Sequence, residues 1–304
     1  MEGPSIGADD RPTLVVVGAA TRDIQANDPR GWRLGGTVSY SSLVAARLGL
    51  RVRALVGVDD VAASASELDV LRDGGVDVQL VRLSKGPVFD NQQTTSRRVQ
   101  LIHSTSDQIP VAALPPAWRA STTALLGPVA GELSDEWAAA FPEATCVVIA
   151  AQGLVRALSP GKPVETRPIQ RNAILTRADA IAISAEDISG GAPPVRELLR
   201  PRQELLVTHG SKGALHIRFD GTVLRARYVP PLPPREAIDT TGAGDTFVAA
   251  WLATRMLIGD HDWRALAVAA AMASLSVERR TIHETPTRAD LCDVLFRLRA
   301  RDLG

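Results

Sequence analysis

The chain has 304 residues, of which 45% are hydrophobic, so it can bury a substantial core. Its 34 basic residues balance 34 acidic ones, so no overall charge would attract nucleic acid or an anionic membrane surface. The longest apolar runs are too short to cross a bilayer, and Cys146 and Cys292, both in apolar surroundings, form neither a metal-ligand spacing nor a disulfide framework. We therefore expect a cytoplasmic protein with no nucleic-acid or membrane partner.

Residues 1–11 are polar and acidic where a signal peptide needs a basic start and an apolar stretch, and we expect a disordered leader there. Over residues 12–304, short apolar runs alternate with longer helical patterns, which predicts one α/β domain with a mostly parallel, helix-covered sheet. Strands are predicted at Leu14–Val17, Val52–Val56, Val78–Leu83, Val99–Ile102, Thr123–Leu126, Cys146–Ile149, Ala180–Ile183, Leu205–Val207, Ala214–Phe219 and Val223–Ala226, with a loop from Ser84 to Arg98. Helices are predicted at Val38–Leu48, Gly242–Leu257 and Trp263–Val277.

The segment from Asp239 to Asp245, Asp-Thr-Thr-Gly-Ala-Gly-Asp, lies at the start of a predicted helix. The first amides of a helix lack intrahelical partners and carry partial positive charge, so glycines here predict a phosphate site. A carboxylate at Asp245 would repel phosphate unless it accepts the proton of an attacking hydroxyl group. The alternative is a tight helix entry in which Asp245 only complements the helix dipole.

This segment resembles the C-terminal signature of the ribokinase-like (PfkB) carbohydrate kinases, whose core is D-T-x-G-A-G-D. The resemblance implies a three-layer α/β fold with a small β lid, to which residues 24–34 and 78–103 would contribute strands. It also implies ATP and Mg²⁺ as cofactors. Matched position by position, Asp245 would be the catalytic base, Gly242, Ala243 and Gly244 the anion hole, Thr241 a phosphate neighbour and Asp239 a metal neighbour.

Three further positions match the substrate side of the family. The double glycine Gly35-Gly36 resembles the turn that lets the backbone approach substrate hydroxyls. Asp23 matches the acid that holds two neighbouring hydroxyls, which suits a polyol, although an ordinary loop acid would look the same. Tyr40 stands where many members carry Asn, and this favours inositol or another cyclitol over ribose.

Asn91 and Gln100 lie where the family's lid strands face the substrate. The resemblance makes them candidate ligands of substrate hydroxyls. They could equally be polar residues on an exposed strand.

The nucleotide side is matched less fully. Thr208, Gly210, Lys212 and Gly213 resemble the family's T-x-G-x-x-G turn, which binds ATP, although a plain β-turn has the same composition. Ala270 and Ala273 lie on an Ala-rich helix that would form a wall of the adenine pocket or serve only helix packing.

The family's N-x-x-E motif, which organises magnesium near the phosphates, is altered in this chain. Ser184 and Asp187 occupy its two defining positions. Asp187 could replace Glu through a water, and Glu186 is the neighbouring alternative, whereas Ser184 is a weaker oxygen ligand than Asn.

These patterns predict an ATP- and Mg²⁺-dependent kinase that phosphorylates a hydroxyl of a small sugar or cyclitol, with a myo-inositol-like molecule as the favoured substrate. A nucleoside kinase of the same family is the alternative substrate class. A catalytically degenerate protein that binds a sugar or nucleotide as a sensor is the alternative from another class. The chain would act as a monomer or a homodimer.

Overall fold

The computed structural model describes residues 12–93, 98–188, 191–259 and 262–302, so the leader expected at residues 1–11 lies outside the described residues. Within these ranges the strands are β1 (Thr13–Ala19), β2 (Thr21–Ile24), β3 (Trp32–Gly35), β4 (Arg51–Val58), β5 (Val76–Arg82), β6 (Val88–Gln93), β7 (Arg98–Ser104), β8 (Thr123–Leu126), β9 (Cys146–Ala150), β10 (Arg156–Ala157), β11 (Lys162–Pro163), β12 (Glu165–Thr166), β13 (Ala180–Ser184), β14 (Glu204–Thr208), β15 (Ala214–Phe219) and β16 (Leu224–Val229). The helices are α1 (Thr37–Arg47), α2 (Glu67–Asp73), α3 (Ala173–Arg177), α4 (Val195–Leu198), α5 (Ala243–Ile258), α6 (Asp262–Ser276) and α7 (Arg288–Asp302).

A nine-stranded sheet forms the centre of the molecule, in the order β16-β15-β14-β13-β9-β8-β1-β4-β5. Its strands are parallel from β5 to β14, and β15 and β16 continue it as an antiparallel hairpin. The strand β5 pairs with β4 in this sheet, so the expectation that residues 78–82 belong to the lid is wrong. The side chains of β5 alternate between a partly buried face and an exposed face, as those of a lid strand would.

Both faces of the large sheet are covered, as the continuous apolar composition of its central strands requires. Alternate residues of β1 belong to different clusters: Leu14 and Val16 pack in one, and Val15 and Val17 pack in the other. The first cluster includes residues of α1, α5 and α6, and the second includes residues of α3 and α4. The result is the helix-covered sheet that the sequence pattern predicts, in the three layers that the family resemblance implies.

A second, five-stranded sheet lies beside the carboxyl ends of the central strands, in the order β11-β7-β6-β2-β3. Its strand β6 occupies part of the segment that was expected to be a loop from Ser84 to Arg98. Its outer strand β11 comes from residues 156–167, which leave the large sheet after β9, reach the small sheet and return. This excursion connects the five-stranded sheet, called the lid sheet below, to the nine-stranded sheet. None of the predicted elements corresponds to it.

The long helices and the central strands agree with expectation, whereas the helices α2, α3, α4 and α7 and the two-residue strands β10, β11 and β12 have no predicted counterpart. Helices α1, α5 and α6 begin and end within one or two residues of their predicted bounds. Cys146, whose apolar neighbours suggest a core residue, is exposed, and so is Cys292. Across the described parts of the chain, no helix has the length and apolar character that crossing a membrane demands.

Candidate active site

A cleft with a volume of about 430 Å³ opens at the carboxyl ends of the parallel strands. Ala150, Ser184 and Thr208, at the ends of β9, β13 and β14, form part of its lining. Residues from the starts of α1 and α5 and from the small sheet complete it. This is the edge at which open α/β sheets bind their ligands.

The mouth of α5 lies in this cleft. Gly242 precedes the helix with φ of 75° and ψ of 2°, a left-handed conformation that glycine adopts without strain. Gly242 and Gly244 line the cleft, whereas Ala243, which was predicted to share the anion hole, does not. The amide of Ala243 donates to the carbonyl oxygen of Thr240 at 3.3 Å. The structure therefore brings two of the three predicted anion-hole residues to the cleft.

Asp239 has a local role in the same turn. Its carboxylate oxygen Oδ1 accepts a hydrogen bond from the amide of Thr241 at 2.9 Å, which fixes the turn before the helix. Thr241 lines the cleft, but Asp239 is not part of the lining.

Asp245 occupies the first turn of α5 and reaches the cleft, where it is half-buried. Burial raises the pKa of its carboxyl group, while a hydrogen bond from Thr37 and the positive charge of Arg156 act in the opposite direction. The hydroxyl of Ser41, on α1, donates to the carbonyl oxygen of Asp245 at 3.0 Å. Residues of α1 therefore contact Asp245 twice, Thr37 at its carboxylate and Ser41 at its backbone carbonyl.

Tyr40 packs directly against the helix mouth. A Cβ atom at Gly242 would lie 2.6 Å from Cε1 and 2.7 Å from Cγ of the Tyr40 ring, so only glycine fits there. Burial raises the pKa of the Tyr40 hydroxyl, and the negative charges of Asp23, Asp239 and Asp245 raise it further. Tyr40 is therefore a neutral aromatic group that lines the cleft between the lid sheet and α5.

Asp23, on β2, lines the cleft from the lid side. Its Oδ1 accepts a hydrogen bond from the hydroxyl of Thr21 at 2.9 Å. A side chain at Gly35 would overlap Oδ2 of Asp23, so this glycine provides the space that the carboxylate occupies. Gly36 has φ of 90°, and a Cβ atom there would lie 2.6 Å from the carbonyl oxygen of Ala19. Of the two glycines, Gly36 lines the cleft and Gly35 does not.

Asn91 and Gln100 face each other on β6 and β7 and both line the cleft. The side-chain amide of Gln100 donates to Oδ1 of Asn91 at 2.8 Å. This bond joins the two predicted substrate ligands into one polar unit on the lid.

Ser184 and Asp187 are hydrogen-bonded to each other beside the cleft. The Ser184 hydroxyl donates to Oδ2 of Asp187 at 2.7 Å, and its Oγ accepts from the Asp187 amide at 3.0 Å. The other oxygen, Oδ1, lies 3.6 Å from the guanidinium of Arg156. Within the described ranges, no group of three or more His, Cys, Asp or Glu side chains could hold a metal ion. Asp187 is therefore engaged by Ser184 and Arg156, and its predicted place beside magnesium, like that of Asp239, stays a prediction.

The predicted nucleotide residues are only partly at the cleft. Thr208 lines it, whereas Gly210, Lys212 and Gly213 form the turn that follows β14 and lie outside the lining. Gly213 has φ of 92°, which favours glycine in this turn. Ala270 and Ala273 pack on α6 in the hydrophobic core that α5 also borders, and they too lie outside the lining.

Sequence reasoning missed two residues that act on Asp245. Thr37 follows Gly36 directly, so its position next to the double-glycine motif could have indicated that it lies at the site. Arg156 lies on a two-residue strand in the excursion toward the lid and has no local sequence signal. Only the fold brings it to Asp187 and Asp245.

The C-terminal part of the chain matches a known family. Residues 181–288, which contain β13, β14, α5 and α6, match the model described as pfkB family carbohydrate kinase. Among curated proteins, the chain is similar to 2-dehydro-3-deoxygalactonokinase of Haloferax volcanii, with 34% identity over 113 residues. That similarity covers 36% of this chain and spans 33% of the relative's length.

Solved structures extend the likeness to almost the whole chain. One is a pyrophosphate-dependent kinase in the ribokinase family complexed with a pyrophosphate analog and myo-inositol, with a TM-score of 0.74, 20% identity and coverage of 92% of this chain and 99% of that one. Another is ribokinase of Arabidopsis thaliana complexed with ribose and ATP, with a TM-score of 0.66, 20% identity and coverage of 94% and 99%. The family match is confined to residues 181–288, and the solved structures show that the chain as a whole shares the ribokinase-like fold.

Proposed function

We propose that this protein is a kinase that transfers a phosphoryl group to a hydroxyl of a small polyol, with Asp245 as the catalytic base. The observation that carries this proposal is the joint placement of Asp245, Gly242 and Gly244 at one helix mouth in the cleft. Backbone amides and the helix dipole favour phosphate there, and the carboxylate is in position to accept a proton.

The proposed step is an in-line displacement. The substrate oxygen forms a bond to the outermost phosphorus of the donor while the bond from that phosphorus to the donor's bridging oxygen breaks. The proton of the substrate hydroxyl passes to Asp245, and the bridging oxygen leaves with the rest of the donor. Thr37 and Ser41 orient the base from α1.

The lid side of the cleft supports a polyol as the acceptor. Asp23 can accept hydrogen bonds from two neighbouring hydroxyls, and the Asn91–Gln100 unit adds further amide groups. Tyr40 is a flat apolar surface that suits the face of a cyclitol ring. A myo-inositol-like cyclitol is therefore our first candidate, which agrees with the myo-inositol named for one similar structure. A purine nucleoside, stacked on Tyr40 or Phe89, is the second candidate.

Two phosphoryl donors are consistent with similar structures, since one is named with ATP and another with a pyrophosphate analog. The family signature favours ATP. The turn Gly210–Lys212 and the helix residues expected beside adenine lie outside the lining of the cleft, so the adenine ring of ATP would lie beyond the cleft. Magnesium would accompany either donor as a counter-ion of its phosphates, and no step above depends on an ion held by the protein.

A matrix of donors and acceptors tests the proposal. ATP and pyrophosphate would each be incubated with the protein and with myo-inositol, other cyclitols, ribose and purine nucleosides, and phosphorylated products would be measured by mass spectrometry. Turnover of a cyclitol above every nucleoside supports the first candidate, and the reverse order supports the nucleoside. Ligand binding without turnover of any pair would refute the kinase and favour a sensor.

A further inference from the structure

Arg156 is a buried cation at the cleft that the proposed step does not yet use. It begins the excursion from the large sheet to the lid, and β10 pairs it with Thr166 of β12. Its side chain lines the cleft, yet only 12% of the side chain is exposed. Burial of a guanidinium costs free energy because its charge loses the stabilisation that water provides, and Asp187, 3.6 Å away, offsets part of that cost.

The side chains that line the cleft carry more negative than positive charge, which makes Arg156 important for binding an anion. Among the described residues that line it, Asp23, Glu186, Asp187 and Asp245 are acidic, and Arg156 is the one Lys or Arg. A phosphoryl donor carries several negative charges, which four nearby carboxylates repel. Apart from the helix mouth of α5, the cleft offers one positive side chain to balance them.

The position of Arg156 points to the donor and not to the acceptor. Its guanidinium lies 3.6 Å from Oδ1 of Asp187, which follows β13. The Ser184 hydroxyl donates to the other oxygen, Oδ2, at 2.7 Å and so orients the carboxylate. Its charge also acts on Asp245 at the mouth of α5. The guanidinium therefore lies among the residues that surround the anion site, whereas the polar groups suited to a polyol are on the lid strands β2, β6 and β7.

We propose that Arg156 binds the outermost phosphoryl group of the donor, and that Asp187 is the positioning residue that aims its guanidinium. The inference rests on the proposed function, since it assigns a residue to the donor of that reaction. The planar guanidinium matches two phosphate oxygens at once, and its charge stabilises the phosphoryl group as the group moves toward the acceptor. Asp187 thereby serves the donor through Arg156 instead of through a directly bound metal ion.

The test measures donor binding apart from turnover. Inorganic pyrophosphate and AMP-PNP would be titrated by calorimetry into the native protein and into Arg156→Met, Arg156→Lys and Asp187→Asn. We expect Arg156→Met to weaken binding of the preferred compound at least tenfold, with Arg156→Lys and Asp187→Asn intermediate. Arg171→Met, which removes the same charge from an exposed position, is the matched control and should bind within twofold of the native protein.

Kinetics with the acceptor distinguish donor binding by Arg156 from a competing role in binding the acceptor. If Arg156 binds an acidic group of the acceptor, Arg156→Met will raise the KM for the acceptor and leave the donor Kd unchanged, which overturns the proposal. Native-like donor binding by Arg156→Met, or no binding of either compound by the native protein, also overturns it. Should Arg156→Met fail to fold, the comparison of Arg156→Lys with Asp187→Asn still decides, because native-like binding by both contradicts the proposal. Arg156-dependent binding without turnover of any acceptor would instead refute only the kinase function.

Discussion

From the close packing of Gly242 against Tyr40 we predict that the variant Gly242→Ala is less stable than the native protein. Alanine at φ of 75° is strained by about 1–2 kcal/mol, because its Cβ approaches the following carbonyl oxygen. The same Cβ would lie 2.6–2.7 Å from atoms of the Tyr40 ring, and overpacking of a buried site costs about 1–3 kcal/mol. We expect the free energy of unfolding to fall by about 2–5 kcal/mol in total.

Two further variants separate strain from overlap. In Gly242→Ala combined with Tyr40→Ala the overlap disappears but the strain remains, so a double-mutant cycle should give a favourable coupling of about 1–3 kcal/mol. Gly244→Ala is the control, because its Cβ would have no heavy atom within 4 Å, and alanine is the better helix former by about 1 kcal/mol. It should leave the free energy of unfolding unchanged or slightly raised.

The assay is urea unfolding followed by circular dichroism, with turnover measured on the same samples under native conditions. Because the residue begins the helix that carries Asp245, Gly242→Ala should also lower turnover in the fraction that remains folded. Native-like stability and turnover in Gly242→Ala would refute the packing of Tyr40 against the helix mouth.

Two other predictions concern charge. Burial raises the pKa of Asp245 above its ordinary value of 3.8, so on acidification turnover should fall at a higher pH than it would with an exposed Asp as the base. The variant Thr37→Val should raise the pH of this loss further, because it removes a hydrogen bond that favours the charged carboxylate. A pH profile of kcat/KM for both proteins checks the two expectations. Arg30→Met should destabilise the protein by about 1–3 kcal/mol, because it strips a bidentate partner at 2.6 and 2.8 Å from the buried carboxylate of Glu67. The bond holds the pKa of Glu67 low against the effect of burial, so the native protein should lose this stability as the pH falls through that lowered pKa, and the variant should not. The exposed pair Arg72–Asp69 is the control, since Arg72→Met should cost less than about 1 kcal/mol in the same urea titration.

The sequence predicted best what depends on local pattern. The large sheet, α1 and α5 have strong periodicity, and the segment from Asp239 to Asp245 carries its own turn chemistry. The strand β5 was misassigned because an edge strand and a lid strand show the same exposure pattern.

The rest of the site depends on contacts between distant segments. Strands β10, β11 and β12 have two residues each: β10 and β12 pair with each other, and β11 pairs with the distant strand β7 of the lid. Arg156 reaches the cleft only through that excursion. The hydrogen bonds from Ser184 to Asp187 and from the Thr241 amide to Asp239 are local, by contrast, and join residues two or three positions apart.

The most direct test of the account is the variant Asp245→Asn, assayed with the best donor and acceptor from the matrix. Loss of a general base should lower kcat by about 10²–10⁴-fold, whereas the donor Kd should stay within a few fold of the native value, since the amides at the helix mouth remain. A kcat near that of the native protein would contradict the assignment of Asp245 as the base and, with it, the proposed mechanism.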